Sequence, residues 1–162
     1  MSTPDFIPYV EGQARLDWLA LTRALEEGHK LPRAEVADSF LYRGDDTLLN
    51  RAAWIDGLGL AVKSATVFPA LTPSINGGVS LYSDNDGSLQ AVIDFHLAKW
   101  KTAGDSLLGA LKLARPDSRR ILIVGAGTLA HGLREAYAAG SPDAEFTVWN
   151  RNGERAQALA SR

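Results

Sequence analysis

Arg120–Val124 is an arginine followed by four apolar residues, and Gly125-Ala126-Gly127-Thr128-Leu129-Ala130 follows it directly. A continuous apolar run of this length reads as a strand covered on both faces. Residues 131–139 are helix-compatible. Strand, G-x-G-x-x-A and helix, in that order, are the parts with which a chain holds a pyrophosphate. The first glycine permits the tight turn, and the second lets backbone approach the phosphates. The small Ala130 lets the helix pack on the strand, and the helix N-terminus offers unpaired N–H donors at its positive dipole end. Gly140-Ser141-Pro142 ends the helix, and Glu145–Trp149 supplies the second strand.

The end of that second strand discriminates between dinucleotides. An NAD site places Asp or Glu there to accept from the ribose 2′-hydroxyl. Here the chain reads Trp149-Asn150-Arg151-Asn152, with no carboxylate and with a planar guanidinium suited to a 2′-phosphate. The residues therefore favour NADP(H) over NAD(H). The candidate cofactor set is Gly125, Gly127, Thr128, Leu129, Asn150, Arg151 and Asn152. His131, just past the motif, reads as a surface position on the helix, and His29 as part of a solvated helix end.

Lys63 is the other residue that asks for a partner. It lies in LGLAVKSATVF, an apolar run whose imperfect alternation reads as a strand covered on both faces. A lysine there is costly unless its amine reaches water or an anion.

These residues need elements to position them. FIPYV reads as a short strand broken at Pro8, and residues 13–27 as a helix with Gly28 as its C-cap. SFLYR, TLLNRAAWI, LGLAVKSATVF, GVSLYSD and SLQAVID read as strands, the last two joined by a three-residue hairpin loop, Asn85-Asp86-Gly87. Residues 97–114 carry helical spacing, and Pro116 ends it.

Composition bounds the remaining possibilities. The chain has 162 residues, of which 46% are hydrophobic and 22% charged, values that exclude disorder and fibrous classes. A formal charge of -2 lacks the dense positive surface that nucleic acid requires. No run approaches the ~20 apolar residues of a membrane span. With no cysteine, disulfides, thiolate zinc sites and a cysteine nucleophile are excluded. The N-terminal MSTPDFIPYVEG has neither a basic start nor an apolar stretch, so a cytoplasmic protein without an export signal is expected.

Trp100-Lys101-Thr102-Ala103-Gly104-Asp105-Ser106, taken with VKSATVFP, PSIN, DGSLQAVID, LARPDS, ILIVGAG and VWNR in this order, resembles the ornithine cyclodeaminase / mu-crystallin family. The resemblance runs from about Tyr42 to the C-terminus. It implies an α/β protein with two parts, a mixed-sheet substrate-binding and dimerisation domain and a Rossmann domain. It also implies hydride transfer between NAD(P) and the α-carbon of a small amino or imino acid, with deamination or imine reduction. In such enzymes basic residues hold the substrate carboxylate, and the matching positions here are Lys63, which would also serve catalysis, Lys101 and Arg43. Thr102 joins the cofactor set on the same ground. The resemblance further implies a homodimer, while charge and composition leave neither membrane nor nucleic acid as an expected partner.

The chain departs from the family pattern in three places. Lys101 stands where many relatives have arginine, the stretch after Pro69 is shorter, and Asp94-Phe95 replaces an Asp-Gly turn. The segment from Asp94 to Lys101 is one residue shorter as well, which rotates the lysine by about 100° on its helix. The domains are expected at 1–118 and 119–162. Beyond Ser118 there is room for two strands, one helix and the start of another, whereas a complete dinucleotide fold needs two βαβαβ halves. The expectation is therefore the N-terminal portion of a longer protein, inactive alone. The alternative is a non-catalytic cofactor- or small-ligand-binding protein of the mu-crystallin kind, or an inactive fragment.

Overall fold

The computed structural model describes residues 3–161. Strand β1 (Asp5–Ile7) is followed by the short helix α1 (Tyr9–Ala14) and by α2 (Trp18–Gly28). Strands β2 (Glu35–Arg43), β3 (Asp46–Ile55), β4 (Gly59–Val67), β5 (Ile75–Tyr82) and β6 (Leu89–Asp94) come next. A 3₁₀ turn (Phe95–Leu97) leads into α3 (Ala98–Leu113). The chain continues with β7 (Arg120–Val124), α4 (Thr128–Gly140), β8 (Glu145–Trp149) and α5 (Gly153–Ala160). The expected α/β class with a mixed sheet is what is found.

Local expectations change at several points. Only Asp5–Ile7 of FIPYV is strand, because Pro8 ends it and Tyr9 begins a helix. The single helix over 13–27 is two helices, since the Asp17 carboxylate accepts from the Ala20 N–H at 2.8 Å and caps a fresh start. Gly28 is the last helical residue, and right-handed His29 takes the cap position. Helix α4 begins at Thr128, earlier than its composition suggests, because Gly127 serves as its N-cap.

Packing divides the chain into two compact units, residues through Arg15 with Leu31–Ala98, and Leu16–Lys30 with Lys99 onward. The first is a six-stranded sheet in the order β1-β6-β5-β4-β3-β2. Strands β2 to β6 form an antiparallel meander, and β1 adds parallel to β6. The β5–β6 connection is longer than three residues. Ser83 and Ser88 close it with a backbone hydrogen bond of 2.9 Å, and Gly87 takes the left-handed conformation at φ 68°. Ala65 and Ala91 are buried within this sheet, while β2 at its edge is exposed along its whole length.

The second unit joins the parallel pair β7-β8 to helices α2, α4, α5 and nearly all of α3. These packing units cross the linear boundary expected near Arg119, because α2 and α3 pack with the C-terminal segment. Gly104 on α3 leaves room for Leu21 and Leu25 of α2, and Gly132 on α4 lies against Ala103 of α3. Ile123, Ala130 and the fully buried Leu159 form a core under β7 and β8, joined by Ile121, Ala126, Phe146 and Val148. Ala130 thus occupies the helix-on-strand contact for which its small size suits it.

Candidate functional site

In the second unit the glycine motif adopts the geometry its residues imply. Strand β7 ends at Val124, and Gly125 turns with φ 112°, a conformation that L side chains rarely adopt. Its N–H donates to the Trp149 carbonyl at 2.7 Å, which ties the turn to the end of β8. Gly127 then caps α4 with no side chain on the first N–H groups. A Cβ built at Gly125 or Gly127 meets nothing within 4 Å. Open space at both glycines, beside a helix N-terminus with no side-chain cap, fits a pyrophosphate.

At the end of β8, Asn150 donates from its amide to the Asn152 carbonyl at 3.0 Å. Asn152 caps α5, its side-chain oxygen accepting from the Arg155 N–H at 3.0 Å. Arg151 between them is exposed and makes no ion pair among the described residues. Its guanidinium is available to an anion. Thr128 and Leu129 open α4 and are exposed. His131 is half-buried on α4, and its Nδ1 lacks a hydrogen-bond partner, so the expected surface placement holds only in part. His29 is exposed at the end of α2, as expected. Lys101 and Thr102 are exposed on α3, and Lys101 pairs with Asp105 one turn on.

In the first unit Lys63 is half-buried at the middle of β4. It stands opposite Arg51 of β3 and Val79 of β5. Arg51 in turn stands opposite Asp38 of β2 and donates to both its oxygens, from Nε at 2.7 Å and Nη2 at 2.6 Å. The Arg51 guanidinium holds the Asp38 carboxyl below its ordinary range, and Lys63 adds a smaller electrostatic contribution in the same direction. Arg43 lies at the far end of β2, pairs with Asp46 at 2.9 Å and sits 5.7 Å from the Phe68 ring centre. Because side chains alternate along a strand, the register puts Arg43 on the face opposite Asp38, Arg51 and Lys63. Lys63 and Arg43 are therefore not brought together on one sheet face.

Two charged pairs were not singled out from sequence. Asp38 and Arg51 lie thirteen positions apart, and only the β2–β3 register makes them neighbours. Asp94 accepts from the His96 N–H and lies 2.8 Å from its Nδ1 at the turn before α3. The signal there was an acidic residue two before a histidine at a strand end. The His96 N–H is the main reason the Asp94 carboxyl sits below its ordinary range. Among the described residues no cluster of His, Cys, Asp and Glu could hold a metal, and no helix is long and apolar enough to cross a membrane.

No family model matches the chain. It is 44% identical to a Delta(1)-pyrroline-2-carboxylate reductase of Paracoccus denitrificans, over 98% of this chain and 52% of the relative. It is also 34% identical to the ketimine reductase mu-crystallin of Mus musculus, over 55% of this chain and 29% of the relative. Among solved structures, an archaeal alanine dehydrogenase dimer with bound NAD superposes with TM-score 0.86 at 21% identity, covering 98% of this chain and 52% of that one. The Delta(1)-pyrroline-2-carboxylate reductase of Thermococcus litoralis, in complex with NADH and L-proline, gives TM-score 0.82 at 20% identity, with 97% and 52% covered. The chain thus spans about half the length of the Paracoccus reductase and of the two solved structures.

Proposed function

This chain belongs to the ornithine cyclodeaminase / mu-crystallin family, and from that membership we propose that it contributes the substrate-anchoring sheet and the first nucleotide-binding turn of an NAD(P)-dependent enzyme acting at the α-carbon of an amino or imino acid. The observation that carries the reading is the clear approach at Gly125 and Gly127, between β7 and a helix N-terminus with no side-chain cap. The bound nicotinamide would supply hydride transfer. Gly125, Gly127, Thr128 and Leu129 would hold the pyrophosphate, and Thr102 would add a contact from α3.

Cofactor choice follows from the end of β8. The unpaired Arg151 and the missing carboxylate support NADP(H). The NADH and NAD carried by two solved relatives are the ground for the competing choice, NAD(H).

Substrate anchoring rests on Lys63. An ammonium in a half-buried strand gains more from a carboxylate than an exposed one does, because water screens the pair less. Lys101 and Arg43 are the further candidates; each already pairs with an aspartate, which a substrate anion would have to displace. Imine reduction is the favoured reaction, on the 44% identity to the Paracoccus reductase. The exposed edge strand β2, with Phe40, Leu41 and Tyr42, supports a second copy of the chain as partner. A cytoplasmic location accords with the absence of cysteine. Because these residues span about half of their relatives, we propose that alone they bind nucleotide without turnover.

The test is calorimetric titration of the chain with NADPH, NADH and L-proline, on the wild type and on Lys63→Met. Nucleotide binding that survives in Lys63→Met while L-proline binding is lost supports both assignments. No binding of either nucleotide would sink the cofactor reading.

A further inference from the structure

The row Asp38, Arg51, Lys63 crosses three adjacent strands on one face of the first unit's sheet. Around it on that face the register places Phe40, Leu49, Ala53, Ala61, Ala65 and Val79, all apolar. Among the sheet's strands the other charged group on this face is Asp5 of β1, three strands from Lys63, and Tyr42 at the end of β2 is the remaining titratable one. Within the row two cations and one anion leave one net positive charge, enough for one carboxylate.

Which cation holds Asp38 decides where that charge stands. Arg51 takes both carboxylate oxygens in a fork that an ammonium cannot reproduce. Lys63 Nζ has no hydrogen bond or ion pair among the described residues. Asp38 lies two strand spacings from Lys63, about 9–10 Å between backbones, a gap that a lysine side chain spans most of. Without Arg51 the two would pair, and the row would become neutral.

We infer that Arg51 and Asp38 are positioning residues for Lys63, Arg51 occupying Asp38 so that the Lys63 ammonium stays uncommitted and able to take a substrate carboxylate. The inference rests on the reading of Lys63 as the carboxylate anchor. It assigns Arg51 a role in substrate affinity without contact to the reacting atoms.

The experiment follows the Lys63 side chain by NMR in the lysine-labelled 162-residue chain, with Lys63→Arg to assign its signal. Arg51→Met releases Asp38 toward Lys63 and should shift the Lys63 side-chain signal at neutral pH as the new ion pair forms. Adding Asp38→Asn to that variant should return the signal to its wild-type position. Asp38→Asn alone leaves a second unpaired cation beside Lys63 and should tighten L-proline binding, so the test does not depend on Arg51→Met folding. With L-proline as the carboxylate probe, Arg51→Met should weaken binding about tenfold, and the double variant should restore it.

A Lys63 signal that stays in place in Arg51→Met, with L-proline affinity unchanged in both single variants, overturns the inference. If L-proline binding is then lost in Lys63→Met but kept in Arg51→Met, the anchor reading stands and only the positioning role falls. L-proline binding undiminished in Lys63→Met overturns both.

Discussion

Trp18 and Trp100 stack with their ring centres 3.9 Å apart and their planes 20° from parallel, joining α2 to α3. Both are buried, and Thr22 next to them is satisfied by the Trp18 carbonyl at 2.7 Å. This contact draws an N-terminal helix into the unit that carries the glycine turn. Trp18→Ala should cost about 3–5 kcal/mol, as other large aromatic deletions in cores do. Denaturant unfolding followed by Trp fluorescence and far-UV circular dichroism measures it. A loss below 1 kcal/mol would mean that the stack is incidental to the packing.

The two glycines of the turn should respond differently to substitution. At Gly125 the backbone itself resists a side chain, so Gly125→Ala should lower stability by about 1 kcal/mol or more. Gly127 has φ -93°, where any residue is at ease, and open space beyond its Cα. Gly127→Val should therefore keep the melting temperature within a few degrees while reducing nucleotide affinity at least tenfold. Thermal melts alongside nucleotide titration separate the two effects.

Reversing the charge at the end of β8 tests cofactor choice. Arg151→Asp should weaken NADPH at least tenfold, through lost pairing and new like-charge repulsion, and should leave NADH binding unchanged or improved. Equal affinities for the two nucleotides in the wild-type chain would count against the NADP(H) assignment.

Asp84 gives a pH dependence whose sign is fixed. Its carboxylate accepts from the Trp54 indole N–H at 2.6 Å and from the Gly57 N–H at 2.7 Å, tying the β3–β4 turn to the β5–β6 loop. These bonds, the indole's first, hold its pKa below the ordinary aspartate value of 3.8. The folded state therefore binds this proton less readily than the unfolded chain does. The stabilisation is complete above pH 3.8 and is lost as pH falls through the lower folded value. Asp84→Asn should lower the melting temperature at pH 7 and shrink its drop between pH 7 and pH 3. An identical pH profile in the variant would show that Asp84 contributes nothing to acid sensitivity.

What the sequence determined by itself is local. The G-x-G-x-x-A turn, its flanking strands and the helix after it were legible because a positive-φ glycine, a run of apolar residues and a helix start each have a short-range signature. The existence of the strands β2 to β6, though not their pairing beyond the β5–β6 hairpin, was legible for the same reason. Helix breaks such as Asp17 were missed because their caps compete with a hydrophobic periodicity that continues through them. Tertiary structure alone decided the rest. Helices α2 and α3 join the second unit through Trp18 on Trp100 and Leu21 on Gly104, contacts between segments far apart in sequence. Strand register, which no single strand encodes, placed Asp38 and Arg51 beside Lys63 and put Arg43 on the opposite face. One residue of slip would exchange those faces, so the charge environment of Lys63 follows from strand pairing and not from its own neighbours in the chain.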